Sequence, residues 1–128
     1  MKIYGIGTDI VEIDRINKLI KNKNLLKRLF DPQEIIKCLK VKNSSNCFAK
    51  RFAAKEAFSK ALGTGISKGL NFKDIEITNN KKGKPILNVN GESKKIIKKL
   101  IKKKFKTFVS LSDEKSHAIA SVIITVIR

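Results

Sequence analysis

The chain has 128 residues and carries 29 Lys and Arg against 11 Asp and Glu, a formal charge of +18. Its 41% hydrophobic content supports one domain spanning 1–128 with a real core and leaves little room for a second. The charge selects anionic partners without naming one, while the lack of any run near ~20 apolar residues and of a basic leader argues for the cytoplasm and against stable membrane insertion.

Residues 2–12 mix Ile, Val and Tyr with glycine and read as a strand, after which Asp14 is placed to cap a helix over about 15–28. Asp31-Pro32-Gln33-Glu34 has the cap, the first-turn proline and the third-position acid of a second helix start. Cys38 and Cys47 match no redox or metal spacing and are too few for a disulfide-dense fold, so both are expected as thiols. Beyond the polar Asn43–Asn46 connection, Phe48, Phe52, Phe58 and Leu62 among alanines predict a packed helix over 47–62, which Gly63 and Gly65 can stop. Ile75–Ile77 and Lys84–Val89 flank the turn-rich Asn79–Gly83 and suggest a hairpin. After Asn90-Gly91, eight lysines from Lys94 to Lys106 surround Ile96, Ile97, Leu100 and Ile101 as in a basic amphipathic helix. Strands follow over 108–112 and 117–127. The order suggests an α+β fold in which a sheet packs against helices.

Asp9 follows Gly5-Ile6-Gly7-Thr8, where small residues can let a ligand approach an acid or can simply form a structural turn. Position 10 is Ile, so the glycines do not complete a dinucleotide fingerprint. Glu56 stands four residues before Lys60 and shares a helical face with it and with Ala53. An exposed Glu56–Lys60 pair is the plain reading; the sharper one joins Asp9 and Glu56 around Mg²⁺, which prefers oxygen ligands and contacts phosphates, with Lys60 offsetting the remaining negative charge. Gly63-Thr64-Gly65 lacks the complete phosphate-loop pattern and either meets phosphate or redirects the helix.

Together, Ile3-Tyr-Gly-Ile-Gly-Thr-Asp9 and Phe48 through Gly65 resemble the two signature regions of the holo-acyl-carrier-protein synthases, which are phosphopantetheinyl transferases. The resemblance continues through 72–77, 83–85 and 109–114 to the last strand. It implies a small α+β subunit assembled as a homotrimer, with coenzyme A bound between subunits. It also implies transfer of the 4′-phosphopantetheine arm to a serine of apo-acyl carrier protein, releasing adenosine 3′,5′-bisphosphate in fatty acid biosynthesis. Asp9 and Glu56 match the acidic metal positions. Lys60 matches a lysine near the coenzyme A phosphates, and Gly63, Thr64 and Gly65 match a loop near the cofactor. Arg51 and Lys55 are further candidates for phosphate contact. Glu56 takes the serine proton directly or through a water held at the metal, and the residues leave both open. Arg15 matches a carrier-contact position, supported by Lys18 and Lys21. Asp113 stands where some relatives have histidine, and His117, four residues on, is not a substitute for it. Ser110 and Ser112 fit strand hydrogen bonding more simply than ligand contact.

Two other classes compete on charge alone. A nucleic-acid module would use the 94–106 lysines, but no recognised RNA- or DNA-binding signature accompanies them. An anionic-membrane or purely structural binder would use the same helix.

Overall fold

Two-residue periodicity sorts the side chains of three strands onto two faces of one sheet. In the computed structural model, which describes residues 1–63 and 69–127, β1 (Lys2–Glu12) pairs antiparallel with β5 (His117–Val126). β5 pairs in turn with β4 (Phe105–Asp113), giving the order β1-β5-β4. The inner face carries Gly5, Gly7, Asp9 and Val11 beside Ala118, Ala120, Val122 and Ile124. Ile6, Ile10, Phe108 and Ile119 lie exposed on the other face.

Across the inner face lies the long helix of the chain, expected over 47–62 and observed at Ser44–Leu62. It becomes α4 in a series with α1 (Ile13–Leu19), α2 (Lys23–Leu29), α3 (Pro32–Lys40) and α5 (Gly91–Ile101). It is buried through Phe48, Ala53, Ala54, Ala57, Phe58 and Ala61, and it rests directly on the glycines of β1. A Cβ on Gly5 would fall 1.9 Å from the Ala61 carbonyl oxygen, and one on Gly7 would fall 1.9 Å from that of Ala57. The Gly-Ile-Gly step therefore serves helix–strand contact and not ligand approach. Gly7→Ala is expected to push α4 off the sheet and lower stability by about 3 kcal/mol, measured as a fall in the urea midpoint.

The helix expected over 15–28 is two helices. Asp14 sits in the first turn of α1 and does not cap it; Asn22 interrupts the run by accepting the Asn24 and Leu25 N–H groups on its side chain, which starts α2 afresh. At α3 the anticipated capping box is present: Asp31 accepts from Gln33 N–H, and Glu34 accepts from Asp31 N–H. β2 (Ile75–Asn79) and β3 (Pro85–Val89) form the hairpin. α5 ends at Ile101 instead of continuing to Lys106, because Lys102 takes a left-handed φ of 60° and the chain turns into β4.

The thiol expectation for the cysteines is corrected. Cys38, at the end of α3, is joined by a disulfide to Cys47 in the first turns of α4. Their Cα atoms are 5.4 Å apart, within bridging range, and the separation of nine residues is a consequence of α4 doubling back beside α3.

Candidate active site

The packing that forces β1 against α4 also decides which side chains meet. Asp9 is on the inner face of β1, opposite Ala120 of β5, and so it points at α4. Lys60, near the end of α4, reaches back to it: Nζ donates to Asp9 Oδ1 at 3.0 Å and to the Thr8 carbonyl at 3.1 Å. The i, i+4 ion pair expected between Glu56 and Lys60 is replaced by this longer-range one. Lys60 keeps 55% of its side chain in solvent while Asp9 keeps 14%. The lysine is thus open to solvent and the acid largely enclosed. Gly63 then closes α4 in a left-handed conformation, φ 84°, its N–H donating to the Lys60 carbonyl. Thr64 and Gly65 lie outside the described residues.

Glu56, half-buried one turn before Lys60, has its carboxyl pushed above the ordinary glutamate range. Burial is the main cause and the negative charge of Asp9 the next; Lys60 and Arg15 act in the opposite sense. The two acids and two cations therefore share one electrostatic neighbourhood. Among the described residues one atom in it lacks compensation: Asp9 Oδ2 is buried and has no hydrogen-bond partner there. Such an oxygen costs about 1–3 kcal/mol when left bare, which a fold tolerates where a ligand supplies the missing partner. Among the described residues no group of three or more His, Cys, Asp or Glu side chains gathers. A cation here would have to draw further ligands from water or substrate.

One hollow opens beside this cluster, and a second lies against the N-terminal half of α4. The first, of about 390 Å³, is lined by Glu56 and Arg28 and by the apolar side chains Leu19, Leu25, Leu29, Phe52, Leu70 and Phe72. The other, of about 400 Å³, gathers Lys37, Lys42, Lys50 and Arg51 with Asn46 and Asn79. Arg51 is buried, which lowers its proton affinity, partly restored by Glu34. Its Nη2 donates to Asn79 Oδ1 at 3.1 Å, while Nε has no partner among the described residues. Asp113 reaches the rim, accepting from Asn46 Nδ2 at 2.7 Å and lying 3.4 Å from Lys50 Nζ. Sequence reasoning missed Asn79, Lys37, Lys42 and Lys50. Asn79 read only as a turn residue, and a lysine in a chain with this composition carries little signal by itself.

Lys55 is corrected as a phosphate contact. It is wholly buried, and Nζ is engaged by Glu34 Oε1 at 2.7 Å and by the carbonyls of Phe72 and Ile75. Arg15, Lys18 and Lys21 lie exposed on or just after α1. His117 is exposed, its Nδ1 paired with Ser116 Oγ. Ser110 faces Ser121 across the sheet and Ser112 faces Ile119, as strand residues.

The geometry has relatives. A family model for the 4′-phosphopantetheinyl transferase superfamily matches residues 5–122. A holo-[acyl-carrier-protein] synthase of Pelagibacter ubique is 53% identical over 125 residues, covering 97% of this chain and 98% of that protein. The one from Vibrio campbellii is 44% identical over 125 residues, with coverages of 96% and 98%. Among solved structures, the holo-[acyl-carrier-protein] synthase of Neisseria meningitidis superposes with a TM-score of 0.84 at 37% identity, covering 96% of this chain and 98% of that one. The Helicobacter pylori enzyme in complex with coenzyme A gives 0.79 at 37%, with coverages of 94% and 99%. Agreement of this extent includes the strand bearing Asp9 and the helix bearing Glu56 and Lys60, and it places the chain in the 4′-phosphopantetheinyl transferase superfamily, among its holo-acyl-carrier-protein synthases.

Proposed function

We propose that this single-domain chain transfers the 4′-phosphopantetheine arm of coenzyme A to a serine of apo-acyl carrier protein in the cytoplasm, releasing adenosine 3′,5′-bisphosphate. The observation that carries the reading is the convergence of Asp9, from the first strand, and Glu56 and Lys60, from the middle of the chain, on one charge cluster whose Asp9 Oδ2 lacks a partner among the described residues. A bare buried carboxylate oxygen beside a second acid suits a hard divalent ion. Mg²⁺ commonly takes one or two carboxylates and completes its shell with waters and phosphates. Asp9 and Glu56 would hold it, and when bound it supplies charge neutralisation at the diphosphate.

The remaining work falls to the chain's own side chains. As the carrier's serine oxygen bonds to phosphorus, the bond from that phosphorus to the bridging oxygen of the bisphosphate breaks, and the serine proton must leave. Glu56 takes that proton directly or through a water held beside it, the half-buried carboxylate being the group placed to do so. Lys60, released from Asp9 and Thr8, follows the negative charge onto the departing bisphosphate. Gly63, Thr64 and Gly65 follow Lys60 closely in sequence and are assigned to the cofactor's phosphates, although the Gly63 N–H is already held by the Lys60 carbonyl. The basic hollow around Arg51 receives the bisphosphate end of coenzyme A. The apolar hollow beside Glu56 accommodates the pantetheine arm. Arg15, Lys18 and Lys21 form the docking surface for an acidic carrier, and Arg15 doubles as a counter-charge to Glu56.

A trimer fits the exposed face of the sheet. Ile6 and Ile10 are 61% and 59% exposed, and Phe108 and Ile119 lie on the same face, an apolar surface suited to burial between copies. The test is intact-mass analysis of apo-acyl carrier protein after incubation with the enzyme and coenzyme A, with Mg²⁺ and with chelator. Gain of one phosphopantetheine arm with Mg²⁺, lost with chelator, is expected. Absence of any gain with a folded enzyme would overturn the proposal, and light scattering on the same sample reads the trimer.

A further inference from the structure

The Cys38–Cys47 bridge stands in the wall of the hollow just assigned to the bisphosphate. Cys47 lines that hollow together with Lys37, Lys42, Asn43, Asn46, Lys50 and Arg51. The bridge also ties down the residues that shape it. Between the bonded sulfurs the chain turns through Val41, Lys42 and Asn43, and α4 begins at that turn without a side-chain cap. Val41 leaves α3 in an extended conformation. The corner is otherwise held by Ser45 Oγ donating to Asn17 at 2.8 Å and by Asn46 donating to Asp113. The contact with Arg51 is direct: its Nη1 donates to Cys47 Sγ at 3.1 Å. As half of a disulfide this sulfur is a weak, neutral acceptor, and the guanidinium keeps its charge for an anion in the hollow.

In a reducing cytoplasm a disulfide is more often a sensing device than a staple. We propose that Cys38 and Cys47 form a reversible redox modification site, read by thiols, that sets the affinity of the neighbouring basic hollow for the bisphosphate end of coenzyme A. This rests on the function proposed above. A dithiol supplies two electrons and two protons: the Cys38–Cys47 bond breaks, both residues become thiols, and the reductant leaves as its own disulfide. The turn carrying Lys42 and Asn43 is then released from α3. A thiol that can ionise now sits on Arg51 Nη1, where it competes with phosphate for the guanidinium. The oxidised form binds more tightly. By linkage, a bound bisphosphate protects the bridge from reduction by the same factor.

The probe is adenosine 3′,5′-bisphosphate, which has no thiol to exchange with the bridge. Titration calorimetry on air-oxidised and on dithiothreitol-treated enzyme should show affinity falling about tenfold on reduction, within the usual range of such couplings. The Cys38→Ser, Cys47→Ser double variant should bind as weakly as the reduced enzyme and ignore dithiothreitol. Saturating bisphosphate should slow or shift reduction of the wild-type bridge, followed by alkylation and mass spectrometry. Absence of a linked 38–47 peptide in a non-reducing digest of the oxidised enzyme, or equal affinity in both redox states, would overturn the inference while leaving transfer intact. Failure of the bisphosphate to bind to either form would overturn it together with the assignment of the hollow, and the carrier mass assay would then judge the transferase reading separately.

Discussion

Glu56→Gln is expected to reduce phosphopantetheine transfer by about 10²–10⁴-fold, the usual contribution of a positioned general base, while leaving the protein folded and, without metal, no less stable. The sign of the second effect follows from linkage. Burial and the charge of Asp9 raise the proton affinity of Glu56 in the fold above its ordinary value. A group shifted this way contributes stability that is fully present below the ordinary glutamate range and is lost as pH rises through the folded value. At neutral pH the ionised carboxylate is therefore a local cost, and a neutral amide of the same shape removes it. A melt in chelator should show the variant at or above the wild-type midpoint. Adding Mg²⁺ should raise the wild-type midpoint and not that of the variant, because binding to the fold alone stabilises by mass action. Loss of activity accompanied by a lower midpoint in chelator would instead mark Glu56 as a structural residue. Unchanged turnover would remove it from the chemistry.

The features legible in the sequence are those governed by local rules. The Asp31-Pro32-Glu34 capping box is written in three positions of one turn, and it appears as expected. The strand over 2–12, the hairpin and the helix ending at Gly63 follow the same logic. Residue chemistry offers Asp9, Glu56 and Lys60 as one possible set, and the family resemblance selects it, since a residue in β1 and two in α4 share no local signal. Their pairing was not legible even then: i, i+4 spacing favours Glu56 for Lys60, and the close seating of α4 on Gly5 and Gly7 gives the lysine to Asp9. The break at Asn22 was missed because apolar spacing runs on through it, while one side chain recapping two N–H groups decides the outcome. The disulfide was missed for a compositional reason. Two cysteines nine apart say nothing until the helices carrying them double back.

Lys55 shows why burial has to be seen before a lysine in a motif is given a ligand. Its Nζ joins three parts of the fold: Glu34 in α3, the carbonyl of Phe72 in the turn before β2, and the carbonyl of Ile75 at the start of β2. Glu34 is satisfied in turn by the N–H groups of Asp31 and Ile77. Burial pushes the carboxyl up and the amine down, and the attraction between them opposes both shifts. Removing one member leaves the other charged or unbonded in a site with no solvent. Lys55→Met is accordingly expected to cost about 3–5 kcal/mol, the range for breaking a buried pair, measured by urea denaturation. The Lys55→Met, Glu34→Leu double variant should recover a large part of the loss, because no orphaned charge remains. The same connection reaches the proposed site, since Phe72 lines the apolar hollow beside Glu56 and Phe52 packs edge-on against it at 5.4 Å. With the 72–75 segment untied, the hollow should lose its wall first. The single variant is expected to raise KM for coenzyme A at temperatures below its melting point, before any fall in folded fraction, whereas a small stability loss with unchanged KM would confine Lys55 to the core alone.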